Sequence, residues 1–248
     1  MSAGAYHRLV TAYRETPGHE IYWQIQSIGI SMAILHRNEA ELVTKLRDHA
    51  TFDSLRQFDQ SNRQGMQAEF HEIIRLIHNY VASIKSLVDH TRRISRKILS
   101  ETGQSIYQQE IDSQFTNDDL TSFLHDLRNY LLHVTHPPVK KTVRFDSGTI
   151  AVELDTQQLL ESDQWRAASK RFLMKYPKSV VLEPLICDYS EKVTNFHNWL
   201  TAHIESDRKG EMDDFWQKHH AWADWCREQG IPITDEEMKS FMERDKDG

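Results

Sequence analysis

The chain has 248 residues, 39% apolar and 27% charged, with a net charge of −7. That is long enough to bury a core and too acidic overall for a protein coated in basic surface for nucleic acid, although a local basic site is still allowed. The acid is concentrated at the end: from residue 205 onward thirteen acidic residues stand against seven basic ones, which leaves the first 204 nearly neutral. Only nine Gly and six Pro are present, so tight turns are scarce and long helices are favoured. Cys187 and Cys226 form no zinc or redox pattern, and two isolated thiols point to a reducing, cytoplasmic setting. Met1–Arg14 lacks the apolar segment of a signal peptide. The most apolar stretch, Ile21–Leu35, contains Gln24, Gln26 and Ser27 and is too short and polar to span a bilayer, so no membrane association is expected.

Pro17-Gly18 reads as a turn. After it, Ile21, Ile25, Ile28, Met32 and Leu35 recur at helical spacing, and a second helix is expected from Glu39 to about His49. Phe52–Arg63 is polar and reads as a short helix or a loop. Across 66–99, Ile73, Ile77, Val81, Ile84 and Val88 repeat every three or four residues with no internal Pro or Gly, which predicts one long helix over that span, with Gly103 ending it or the frayed turn after it. Its second half carries Lys85, Arg92, Arg93, Arg96 and Lys97. These fit a solvated helix face with cations toward its C-terminal end, or a track for an RNA backbone.

The next helix is predicted to start near Thr116 or Asn117, with Asp118 and Asp119 in its first turn, and to stop at Pro137-Pro138. Val143 and Phe145, then Asp146-Ser147-Gly148, then Ile150, Val152 and Leu154 predict a β-hairpin at about 142–155, which must lean on helices to be stable. Helical pattern resumes over Gln157–Lys175, is interrupted at Pro177, and returns as a long stripe from Val181 to Ile204. A further helix is expected over Glu211–Gln229, ended by Gly230 and Pro232, with a short one starting at Thr234. The fold class is therefore mainly α with a small β-hairpin insertion and extra terminal helices. Three segments are expected: an N-terminal helical extension (1–60), a helical core (61–205) and an acidic, Trp-rich tail (206–248). Trp216, Trp222 and Trp225 with His219 and His220 fit packing better than base stacking, because the surrounding acid repels phosphate.

The chemistry-bearing stretch is Asp-Leu-Arg-Asn-Tyr-Leu-Leu-His-Val-Thr-His-Pro-Pro at 126–138. Arg128, Asn129 and His133 put a fixed cation, an amide and an imidazole within six residues. On a helical wheel Leu120, Phe123, Leu124, Leu127, Tyr130, Leu131 and Val134 share an apolar arc. His125, Asp126, Asn129, His133 and His136 fall opposite, and Arg128 sits at an edge. Arg128 and His133 diverge by about 140°, so one helix does not aim both at one small target. Arg can fork two donors onto phosphate oxygens, and imidazole moves protons near neutrality. The dipole at the helix end favours a cation at His133 while a neighbouring Arg opposes it, so its protonation state stays open. His133 and His136 are spaced to share a metal, but no paired Glu-x-x-His motifs and no nearby Cys accompany them, so neither metal nor cofactor is expected. Gly-rich phosphate loops, serine nucleophile elbows and His-Glu-x-x-His zinc helices are absent.

The Arg-Asn-x-x-x-His string, with the long helix before it (His-Asn-Tyr-Val-Ala-Ser-Ile-Lys-Ser-Leu-Val-Asp-His at 78–90), the trailing Pro-Pro and the later hairpin, resembles the HEPN superfamily over about 65–205. Within it, these features resemble a group of bacterial HEPN-like proteins. That resemblance implies a helical bundle that forms a homodimer with its two motif helices facing each other across a two-fold axis. It also implies a metal-independent endoribonuclease leaving 2′,3′-cyclic phosphate ends. Arg128, Asn129 and His133 would be its catalytic residues, and Lys85, Arg92, Arg93, Arg96, His125 and His136 its RNA contacts. A toxin–antitoxin or anti-phage setting, with an antitoxin or other protein partner, is implied as well. The same superfamily includes catalytically silent modules that dimerise or bind partners, and the sequence leaves that alternative open.

Overall fold

The computed structural model describes residues 3–54 and 63–233. Most of the Phe52–Arg63 segment and the short helix expected at Thr234 lie outside the described residues. Nine α-helices and one three-stranded antiparallel sheet are present among those described, so the class is mainly α with a small β insertion. The helices are α1 (Ala3–Arg14), α2 (Pro17–His49), α3 (Arg63–Ile98), α4 (Glu101–Ile111), α5 (Asp119–His133), α6 (Thr156–Leu160), α7 (Ala167–Met174), α8 (Leu182–Asp207) and α9 (Lys209–Glu228). A π-helical turn, Asp112–Thr116, sits between α4 and α5. No described helix is long and apolar enough to cross a membrane.

The chain divides into two compact units. One comprises residues 28–97 and 104–200 and holds the long core stripes. Leu35, Leu42 and Leu46 of α2, Ile73, Ile77 and Ile84 of α3, Phe123, Leu124 and Leu127 of α5, and Leu185, Tyr189 and Val193 of α8 form one cluster. Each set recurs at the three-to-four-residue interval that keeps one helix face turned inward. Tyr80 of α3 spends its hydroxyl on the Ile186 carbonyl (3.1 Å) and Ser190 Oγ (2.8 Å), and burial pushes its pKa up.

The predicted hairpin is present as β1 (Val139–Arg144) and β2 (Thr149–Asp155), paired with Val143 opposite Ile150. Gly148 supplies the positive φ of the turn, 63°. Phe145 lies in the turn and is 89% exposed rather than packed. A third strand, β3 (Ser179–Val181), pairs with β2 and was not expected. It completes the cage around Glu153, which is buried in β2. Burial would raise that carboxyl, but donors from Ser179 (2.5 Å), Thr142 (2.8 Å) and Arg144 outweigh it and hold it below the usual range.

The other unit comprises 1–27, 98–103 and 201 onward. Here α1 packs on α9 through aromatic rings: Tyr6 with Trp225, and Tyr13 with Phe215, His219 and Trp222. The tryptophans of α9 are thus in packing. Asp207 accepts from Ser100 N (2.8 Å) and Oγ (2.5 Å), and His203 Nε2 donates to the Gly103 carbonyl (2.9 Å). A Cβ at Gly103 would stand 2.6 Å from the Asp207 carboxylate, so glycine is required by close approach.

Several boundaries differ from those expected. The helix pair 21–35 and 39–49 is one helix, because the polar run His36–Glu39 contains no breaker and a solvated turn does not end a helix. Gly103 does not end α3; it lies inside α4, after α3 has stopped at Ile98. Gln157–Lys175 is two short helices.

The anchor of the motif helix is Asp126. The wheel placed it among the solvent-facing polar residues, but it is buried. Its carboxylate accepts from Arg166 N (3.1 Å), Arg166 Nε (2.7 Å) and Ser169 Oγ (2.6 Å), so it caps α7 from outside the helix. Replacing Asp126 by Ala strands those donors and should cost about 2–4 kcal/mol. Urea unfolding checks this; an unchanged midpoint would show that the cap is not needed.

Candidate functional site

α5 begins with Asp118, whose carboxylate accepts from Thr121 N (2.8 Å) and Thr121 Oγ1 (2.6 Å). This N-cap lies one or two residues beyond the expected start. Lys192 of α8 pairs with the same carboxylate at 3.1 Å and lies 5.2 Å over the Phe115 ring. Asp119 in the first turn pairs with Arg171 of α7 (2.8 Å) and with Lys175, the residue that caps the end of α7 (2.9 Å). Phe123 and Tyr130 stack on Trp165, and Phe123 on Phe172. One end is pinned by charge and the buried face by rings, so the rotation of α5 is fixed.

That rotation leaves Asn129 and His133 exposed and Arg128 half-buried. The Arg128 guanidinium makes a long contact to Asn129 Oδ1 (3.5 Å) and has no carboxylate within ion-pairing distance among the described residues. His133 is the last residue of α5, five positions on, about 140° round and about 7.5 Å along the axis. The two therefore do not converge within one copy. Two apolar side chains accompany them at the surface: Leu132, 44% exposed, and Val134, 51% exposed. Val134 was assigned to the apolar arc facing the core. It is instead the C-cap of the helix, where the backbone leaves the helical path.

The remaining expected contact residues fall in two places. Arg92 and Arg96 of α3 and His125 of α5 line a cavity of about 370 Å³ bounded by α2, α3, α4, α5, α8 and the π turn. Lys85 is held by Asp89 on its own helix; that carboxyl lies below its ordinary value chiefly through Lys85, with Arg92 and Arg128 adding to the effect. Arg93 is exposed on the same helix. His136 lines a separate groove with His71, Ile74, Arg75 and His78 of α3 and Leu131 of α5. Sequence reasoning missed that α3 set, although residues 71, 74, 75 and 78 sit at helical spacing on one face. Arg75 there is paired with Glu72 (2.6 and 2.7 Å). Among the described residues no cluster of three or more His, Cys, Asp or Glu is placed to hold a metal ion.

Two imidazoles in the cavity are held below their ordinary pKa by burial. His197 uses both ring nitrogens: Nδ1 donates to the Val193 carbonyl (2.8 Å), so Nε2 meets Thr91 Oγ1 (3.0 Å) as the acceptor of the neutral ring. His125 is lowered by burial and then by Arg166 and Lys85, and its buried Nε2 has no hydrogen-bond partner.

No protein-family model matches the chain, and comparison with curated proteins and with solved structures finds no match either.

The depressed histidines have a consequence for stability. The unfolded chain takes up protons as pH falls below about 6.5, whereas the folded cavity resists them. Stability contributed by the neutral rings is full above that pH and is lost as pH drops toward the folded values. His197→Gln should make the fall in unfolding free energy between pH 7 and pH 5, read from urea titrations, shallower by up to about 1.4 kcal/mol per pH unit in the titrating range. Parallel slopes for variant and wild type would contradict this.

Proposed function

We propose that the chain is a metal-independent endoribonuclease whose active centre is composed from two copies of α5. The observation that carries this reading is the placement of Arg128, Asn129 and His133 at the solvent face of one rigidly held helix. They point apart, with Leu132 and Val134 exposed beside them. A guanidinium with no carboxylate partner among the described residues and an imidazole open to solvent are available to a polynucleotide. The adjacent apolar side chains give a second copy something to bury, and two-fold symmetry then presents each copy's arginine to the other's histidine. The resemblance to HEPN domains agrees with this arrangement.

RNA supplies its own nucleophile. In the composite site one imidazole takes the 2′-hydroxyl proton as the oxygen attacks phosphorus. Arg128 guanidinium groups neutralise the charge that builds on the non-bridging oxygens, and Asn129 donates a hydrogen bond there. A protonated imidazole gives its proton to the departing 5′-oxygen as the P–O bond breaks. The products are a 2′,3′-cyclic phosphate and a 5′-hydroxyl. The exposed arginines 92, 93 and 96 on α3, and the groove at His71, Arg75, His78 and His136, offer cationic and hydrogen-bonding surface for the strand on either side. A toxin or anti-phage role, restrained by a protein partner, is the biological setting we infer.

Arg128→Ala and His133→Ala should each lower cleavage of a long single-stranded RNA by about 10²-fold or more, with unchanged circular dichroism and full wild-type activity in EDTA. Gel analysis of end-labelled RNA reads the result. A wild type inert toward every RNA offered, or variants as active as wild type, would overturn the proposal.

A further inference from the structure

The cavity beside α5 is not used by the proposed cleavage chemistry. Its 370 Å³ is within the range of small-molecule sites and about a dozen times the share of one water in the liquid. Its wall joins an apolar part, made by Leu35, Ile84 and Leu87 from two helices, Phe115 from the π turn, and Val193 and Phe196 from α8, to a polar part that includes Thr91, Ser95, Gln104 and Gln108. Among the described residues no aspartate or glutamate lines it, while Arg92 and Arg96, one helical turn apart on α3, stand exposed at its edge. His125, within electrostatic range of Arg92, is also a lining residue. The π turn that shapes one wall is an irregularity of a kind frequent at functional sites.

We infer that this chamber binds a single-chain aliphatic carboxylate of medium length. The carboxylate lies between the Arg92 and Arg96 guanidinium groups at the cavity edge. The chain runs inward along Ile84, Leu87 and Val193. A methylene occupies about the volume share of a water, so roughly a dozen carbons fill the space. Two cations, with no acid among the described lining residues, select an anion over a neutral alcohol. The apolar part of the wall receives the alkyl body. The assignment shares Arg92 and Arg96 with the proposed strand contacts but does not involve Arg128 or His133, so a binding measurement without RNA tests it apart from the cleavage chemistry.

The test is calorimetric titration of the full chain with dodecanoate below its micelle concentration, with dodecanol as the neutral counterpart. Saturable one-to-one binding of dodecanoate, at least tenfold tighter than dodecanol, is expected. Arg92→Gln combined with Arg96→Gln should remove that preference while leaving the fold intact, since both side chains are exposed. Val88→Phe, which enlarges a half-buried wall residue, should weaken both ligands tenfold or more. Arg128→Ala should bind dodecanoate as the wild type does. Absence of saturable dodecanoate binding to the wild type would overturn the inference. So would a preference for the carboxylate that survives loss of both arginines, or dodecanoate binding untouched by Val88→Phe in a chain with the wild-type circular dichroism spectrum.

Discussion

A helix has one rotation, and α5 must satisfy the core and the solvent with the same fifteen residues. Its rotation is set by the Asp126 carboxylate against Arg166 and Ser169, and by Phe123 and Tyr130 against Trp165. Once those contacts are made, every other side chain on α5 has its direction assigned. Arg128 and Asn129 reach one part of the surface, His133 another, and His125 turns toward the cavity. A five-residue interval separates the cation from the imidazole by more than a third of a turn. Nothing local closes that gap, since the helix is pinned at its N-terminal end by Lys192, Arg171 and Lys175.

The two sides of α5 have different electrostatic character. Toward the cavity, burial keeps His125 and His197 neutral, which suits hydrogen bonding more than proton transfer at neutral pH. Toward solvent, Arg128 has no carboxylate partner among the described residues, and it acts at longer range on Asp89, which is already held by Lys85. Charge that is committed to structure is thus separated from charge left accessible. Asp118, Asp119, Asp126 and Glu153 all serve as fixed acceptors in the fold.

Much of this was legible in the sequence where a period or a cap was complete. The long stripes of α3 and α8 and the alternation around Gly148 have no competing reading, and Asp118 lies within two residues of the expected start of α5. Features that depend on a partner elsewhere in the chain were not legible. A wheel sees Asp126 as polar and assigns it to water, because the Arg166 and Ser169 that bury it are about forty positions on. Ser179–Val181 is too short for alternation to mark it as a strand. In the π turn Phe115 packs edge-on against Phe196, about eighty positions on, a contact no local pattern encodes. The candidate site divides in the same way. Arg128, Asn129 and His133 were found by spacing, whereas the separation of His125 from His136 into two cavities required the placement of α3 against α5.

The central claim is that the arginine of one copy works with the histidine of another. Mixing Arg128→Ala with His133→Ala protein, after confirming by light scattering that subunits exchange, measures this directly, because a mixed pair retains one arginine and one histidine on opposite copies. The account predicts that RNA cleavage returns in the mixture to a measurable fraction of wild type while each variant alone stays inactive. A mixture of exchanged subunits no more active than its components would contradict it.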